Sequence, residues 1–161
     1  MRVIKDRQII EDAWLSCAPN RAIPESGDVI VSLAEWNAHH AGWRSRHGRV
    51  GVRLESNEQP SEIVELDRVP LVAIVFPVFT DGRGYSIARL LRERLGYRGE
   101  LRALGEVLRD QLFYLARCGI DSFALPAGKD LEAALAAFRD FSVTYQAAAD
   151  ERRPLFRRVR R

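Results

Sequence analysis

The stretch Leu71-Val72-Ala73-Ile74-Val75-Phe76, followed after Pro77-Val78-Phe79 by Thr80-Asp81-Gly82-Arg83-Gly84-Tyr85, decides how this chain is read. Every position from 71 to 76 is apolar, which suits a central parallel strand covered on both faces; a half-exposed strand would alternate. Two glycines and two charges then break the run where the chain must turn, and Tyr85 to about Leu95 continues as a helix that Gly96 stops. A strand followed by a helix is thus the unit to look for on either side.

Upstream, Val29-Ile30-Val31 is a β-branched strand, and Ser32 with Glu35 makes a capping box for a helix over 33–47 that Gly48 ends. Val50–Leu54 is the next strand, and Pro60-Ser61-Glu62 opens a short helix to about Asp67. Downstream come a strand over Glu100–Leu104, a break at Gly105, and a helix over 106–118 with Val107, Leu108, Leu112, Leu115 and Ala116 at helical spacing, ended by Gly119. Ser122–Leu125 is a further strand, and Leu131, Leu135, Phe138 and Phe141 mark a last helix. Residues 1–27 read as a strand pair, Arg2–Lys5 and Gln8–Ile10 turned by Asp6-Arg7, plus a linker rich in turn formers at Pro19-Asn20 and Pro24–Gly27. The expected fold is a single α/β domain. Its body, 28–146, is a mainly parallel sheet of about five strand–helix units, open and doubly wound in the Rossmann or flavodoxin manner, because a closed barrel normally takes eight units and about 250 residues.

Composition narrows the function classes. A chain of 161 residues, 47% apolar and 29% charged, can bury one core. Its longest uncharged run begins at Val69, holds Pro70 and Pro77, and is too short for a bilayer; Met1-Arg2-Val3-Ile4-Lys5-Asp6 lacks the apolar core of a signal peptide. No membrane partner and a cytoplasmic location are expected. Cys17 and Cys118 stand alone, too few for a disulfide framework, a zinc finger or a four-cysteine iron–sulfur cluster, and read as buried hydrophobes. The net charge of +3 is gathered in residues 151–161, where six arginines face Glu151, leaving the body mildly acidic. Residues 147–161 therefore read as a basic, frayed tail with general attraction to polyanions and no specific nucleic-acid partner.

Ligands of open α/β sheets bind beyond the carboxyl ends of strands, the place held by Asp81-Gly82-Arg83-Gly84 and Tyr85. Free amides and a guanidinium there suit a small oxyanion or a carboxylate. The rival reading is a structural turn, with Asp81 capping the helix and Arg83 in solvent. The loop is not a dinucleotide fingerprint, since position 87 is isoleucine, and it lacks the lysine of a phosphate-binding P-loop. Arg102 reads near the end of its strand and Arg109-Asp110-Gln111 near the start of the helix that follows, with Asp110, Tyr114 and Arg117 on one face. Arg83, Arg102 and Asp110 are thus candidates to converge on one pocket, against the alternative of a surface salt-bridge ladder. The stripe Trp36, His40, Trp43, His47 invites a metal, but His40 and His47 are about 10 Å apart along a helix, so a packing or partner-binding face is expected. Neither a Ser/His/Asp order nor a His-Glu-x-x-His motif is present, and no metal site or cofactor is identifiable.

The segments Phe76–Ser86, Ala88–Arg92, Gly99–Ala103 and Arg109-Asp110-Gln111 to Arg117-Cys118-Gly119 resemble a bacterial family of uncharacterised proteins encoded beside assimilatory sulfite reductase and labelled oxidoreductases of sulfite reduction. The resemblance is specific over roughly 66–125. It implies a role in sulfate assimilation and cysteine biosynthesis, as an accessory or electron-delivery partner of sulfite reductase; two cysteines are too few for the siroheme catalytic subunit. The alternative is a small enzyme or sensor that binds an oxyanion or a flavin at the Asp81-Gly82-Arg83-Gly84 loop.

Overall fold

Arg2–Lys5 (β1) and Gln8–Glu11 (β2) form the expected hairpin, with Asp6 and Arg7 at φ 49° and 61° in its turn. Two successive left-handed residues give the turn whose twist matches that of the strands. The computed structural model describes residues 1–17 and 22–158; the turn expected at Pro19-Asn20 and the last arginines, Arg160 and Arg161, lie outside them. Trp14–Ser16 (β3) is a strand absent from the sequence reading, because three residues are too few to show a period. Asp28–Ser32 (β4), Val50–Leu54 (β5), Leu71–Phe76 (β6), Glu100–Gly105 (β7) and Ser122–Phe123 (β8) complete the sheet.

The order across the sheet is β2-β1-β8-β7-β6-β5-β4-β3. β3 to β8 are parallel and each lies beside its sequence neighbour, while β1 is antiparallel to both β8 and β2. The domain is therefore α/β, but the doubly wound Rossmann or flavodoxin expectation is corrected. A doubly wound sheet reverses its strand order at a switch point and so sends connections to both faces. Here the order never reverses from β3 to β8, and right-handed crossovers then place those connections on one face. On that face Val72, Ile74, Phe76 and Leu101 pack with Trp36, Ile87, Leu91, Leu115 and Phe138 from the connections.

The other face is turned inward. Glu11 ends the strand at one edge and Trp14 begins the strand at the opposite edge. Chain reach limits their separation to about 11 Å, whereas eight strands laid flat would span about 34 Å. The sheet must roll up to bring its edges together. Ile30, Leu71 and Ala73 pack on this inner face with Trp14 and Leu104. The register aligns Ser32, Arg53, Ala73, Arg102, Ser122 and Lys5 in one row across six strands.

The helices are shorter than their apolar periodicity suggests. Leu33–His39 (α1) has the Ser32/Glu35 capping box but stops well before residue 47, giving way to a 3-10 turn at Gly42–Ser45. The His40 ring Nδ1–H donates to the Asn37 carbonyl at 2.9 Å, which a continuing helix would pair with Ala41, and Gly42 weakens continuation. The segment from Pro60 is two 3-10 turns, Pro60–Glu62 and Leu66–Arg68, divided by Glu65 at φ 51°. Arg83–Arg89 (α2) runs on as a wider π turn to Arg94. The helix expected from 106 starts later, with a 3-10 turn at Arg109–Gln111 and then Leu112–Arg117 (α3). Glu106 is still tied to β6, its amide donating to the Phe76 carbonyl at 2.8 Å. Leu131–Leu135 (α4) is capped by Asp130 and followed by a 3-10 turn at Ala136–Arg139. Residues after Phe141 return across α3, where the Ala149 amide donates to the Arg117 carbonyl at 3.0 Å, and end in Leu155–Arg158 (α5). Among the described residues no helix is long and apolar enough to cross a membrane.

Candidate functional site

β6 delivers Asp81 to Tyr85 beyond its carboxyl end, where α2 begins. Gly84 is there for packing: a Cβ on it would lie 2.5 Å from the Phe76 ring, so only glycine lets α2 settle on β6. Gly82 has open space and φ −80°, so neither sterics nor backbone conformation requires glycine there.

The charges of the loop are spent on each other. The Arg83 guanidinium donates to Asp81 through Nε at 2.9 Å and Nη2 at 2.7 Å, and the Arg83 amide donates to the same carboxylate at 3.1 Å. These bonds, with the Ser56 side chain nearby, hold the Asp81 carboxyl well below the usual carboxylate range. Asp81 is thus the anion that this guanidinium and this amide serve. A flavin phosphate or an oxyanion at this guanidinium would compete with a covalently tethered carboxylate.

The two units singled out in the sequence do meet, through Gln111. Its side chain accepts from the Leu108 amide at 2.9 Å and donates to the Phe79 carbonyl at 3.0 Å, tying the turn after β7 to the loop after β6. Burial pushes the Tyr85 pKa up, and the nearby Gln111 side chain offsets part of that rise. Tyr85 packs between Phe76, edge to face, and Tyr114, tilted, at ring separations of 5.6 and 5.4 Å.

Other expected members lie elsewhere. Arg102 is not at the strand end but inside the roll, 1% exposed, where it bonds Asp12, Glu100 and Ser122. The three-way convergence of Arg83, Arg102 and Asp110 is therefore not formed. Arg109 points to the chain's end, donating to the Ala133 carbonyl and pairing with Asp140 at 3.0 Å. Asp110, Tyr114 and Arg117 share a face, and with Phe113, Phe141 and Val143 they line an open hollow of about 330 Å³. Arg117 is buried and donates to the Gln146 carbonyl at 2.5 Å, with Asp150 3.4 Å away.

Two features were out of reach of the sequence. Phe141 reads as the core residue of a helix, yet the helix ends before it and the ring is 64% exposed, lying against Phe113 at 4.9 Å. A basic hollow of about 310 Å³ gathers Arg89, Arg92, Arg98 and Arg152 around Glu93 and the Ala147–Ala149 backbone, residues too scattered for any spacing rule. Arg89 is paired with Glu93 and Arg92 with Asp121, whereas Arg98 and Arg152 have no ion-pair partner among the described residues. Cys17 and Cys118 are free and buried, and burial raises both thiol pKa values.

Neither a curated protein nor a solved structure matches the chain. Residues 51–156, from β5 to within α5, match the model of a family described as bacterial proteins of unknown function, DUF934. The match takes in the Asp81–Tyr85 loop, the Arg109–Arg117 turn and helix and the segment that returns across α3, and on that match the chain belongs to the DUF934 family.

Proposed function

We propose that this protein is an accessory partner in assimilatory sulfite and sulfate reduction that docks on sulfite reductase. The observation that carries the docking half is the surface around the α3 hollow, where Tyr114, Phe141, Val143 and Tyr145 are all more than half exposed. Large aromatic and β-branched side chains grouped around a concavity, with Arg117 and Asp110 beside them, have the makeup of a protein-binding patch. The identity of the partner rests on the resemblance of Phe76–Ser86, Gly99–Ala103 and Arg109–Gly119 to proteins encoded beside that reductase. Electron delivery is the stronger form of this reading and would be a property of the docked complex.

The test is co-purification from a native extract at low salt. Sulfite reductase should be recovered with the wild-type chain and lost with the double variant Tyr114→Ser/Phe141→Ser, both at exposed positions. Recovery of no reductase with the wild type rejects the partner. Unimpaired growth of a deletion strain on sulfate as sole sulfur source rejects the pathway.

A second reading, a small oxyanion-binding enzyme or sensor, has one observation in its favour: the basic hollow at Arg89, Arg98 and Arg152. That hollow is separate from the Asp81-Gly82-Arg83-Gly84 loop, whose guanidinium is already neutralised. Thermal stabilisation by sulfite or sulfate that is lost in Arg98→Gln but kept in Arg83→Gln is the outcome that supports this version.

A further inference from the structure

We propose that the hollow between α1 and the start of β5 is a binding site for a small organic anion with a flat aromatic body, an aromatic ring carrying a carboxylate or a phosphate. It has a volume of about 290 Å³ and is walled by Trp36, His40 and Trp43 on one side and by Arg44, Glu65 and Arg68 on another, with Val50 and Pro70 adding apolar surface. It lies by the amino ends of β5 and β6, about 20 Å along β6 from the Asp81 loop. It lies away from the loop and shares no lining residue with the docking surface.

The composition and charge of the wall point to a ligand. Trp43 keeps its indole N–H buried without a hydrogen-bond partner among the described residues, whereas the neighbouring Trp36 N–H donates to the Val64 carbonyl at 2.8 Å. A buried indole N–H is normally satisfied, so this one is an unmet cost in the fold beside the hollow. Glu65 is held at φ 51°, a left-handed conformation costly for a residue with a Cβ. That backbone sets one carboxylate between two guanidiniums, Arg44 at 2.8 Å and Arg68 at 3.3 Å, so the wall presents more positive charge than negative. Arg49 lines the same hollow, but its guanidinium is paired with Asp28 and adds no net charge. Finally, the His40 ring is fixed in the wall by its Nδ1–H, which donates to the Asn37 carbonyl.

The chemistry follows from the wall. Indole faces and proline accept a flat apolar body, while guanidiniums recognise carboxylate or phosphate in two-pronged fashion. A bare inorganic anion would leave the indoles unused, and a neutral ring would leave the arginines unused.

The test uses the full chain labelled with ¹⁵N, whose three tryptophans give three indole N–H signals. Phenyl phosphate and benzoate are the probes, with inorganic phosphate and phenol as controls. At least one probe should shift the Trp43 signal saturably with a Kd of about 1 mM or below, and both controls should bind at least about tenfold more weakly. Arg68→Gln or Arg44→Gln should weaken probe binding by about fivefold or more, and Arg83→Gln should leave it unchanged. No shift of Trp43 by either probe at about 10 mM, equal binding of inorganic phosphate, or unchanged affinity in both the Arg44 and Arg68 variants overturns the proposal.

Discussion

Asp12 and Arg102, ninety residues apart in the chain, meet in a two-pronged ion pair inside the rolled sheet, with Nη1 of Arg102 2.9 and 3.0 Å from the two Asp12 oxygens and both side chains 2% exposed. Asp12 is one of the two residues that carry the chain from β2 at one edge to β3 at the other. Glu100 takes the remaining charge of Arg102 at 2.7 Å and is itself met by the half-buried Lys5 at 2.7 Å, so the set of Lys5, Arg102, Asp12 and Glu100 is neutral. The pair ties the seam of the roll to its middle.

Removing one partner should therefore be far more harmful than removing both. Asp12→Ala leaves a guanidinium buried beside Glu100 alone and is expected to cost about 3–5 kcal/mol. Asp12→Leu combined with Arg102→Met should recover a good part of that loss, as replacement of buried ion pairs by apolar groups commonly does. Chemical denaturation of the two variants against the wild type measures the difference. A single variant that unfolds at the wild-type midpoint contradicts the role given to the pair.

Glu100 also sets a pH dependence. Burial works against its ionisation, but Lys5 and Arg102 outweigh burial and lower its pKa. Between its folded and unfolded values the unfolded chain binds the extra proton, so this contribution to stability is full above the unfolded pKa, about 4.3, and is lost as pH falls through the folded value. Glu100→Gln should melt below the wild type at pH 7, and the gap should narrow on acidification below about pH 4. Melting curves from pH 7 to about 3 provide the check. A constant gap would show that the carboxylate charge is not what matters.

The two glycines of the loop should separate. Gly84→Ala drives a Cβ into the Phe76 ring and is expected to destabilise by about 1–3 kcal/mol. Gly82→Ala meets nothing and needs no unusual backbone angle, so it should be neutral or stabilise by up to about 1 kcal/mol. Thermal melts of the two variants decide it, and a destabilising Gly82→Ala would reveal a backbone constraint at that position.

Arg117 should behave as a clasp for the segment that returns across α3. Its side chain donates to Gln146, its carbonyl accepts from Ala149, and Asp150 lies 3.4 Å away. Arg117→Ala removes the side-chain bond and should cost about 1–3 kcal/mol. Amide hydrogen exchange should rise over residues 144–150 more than in β6. Equal protection of that segment in variant and wild type would mean that apolar contacts alone hold it.

Some of this architecture was legible and some was not, for reasons that lie in particular residues. Leu71–Phe76 announces itself because burial on both faces leaves no polar position. Ser32 and Glu35 announce α1 because a capping box is a local arrangement of four residues. The premature end of α1 and the late start of α3 were hidden, since His40 bonding to Asn37 and Glu106 bonding to Phe76 depend on geometry that periodicity does not carry. In the candidate site, the meeting of the loops after β6 and β7 was legible as a consequence of adjacent parallel strands. The mutual neutralisation of Asp81 and Arg83 was not, because the same two residues also suit an open anion site.

The sequence by itself determined that this is an α/β chain with a buried central strand, where most strands lie, and which loop follows that strand, because apolar runs, caps and glycines act over a few residues. Only the tertiary structure decided that the sheet rolls up instead of winding both ways, that Arg102 belongs to its interior, and that the Asp81 loop closes upon itself. Strand order and side-chain pairing over ninety residues are set by which partners meet in space, and an arginine or an aspartate reads the same in a sequence whether water or a buried counter-charge awaits it.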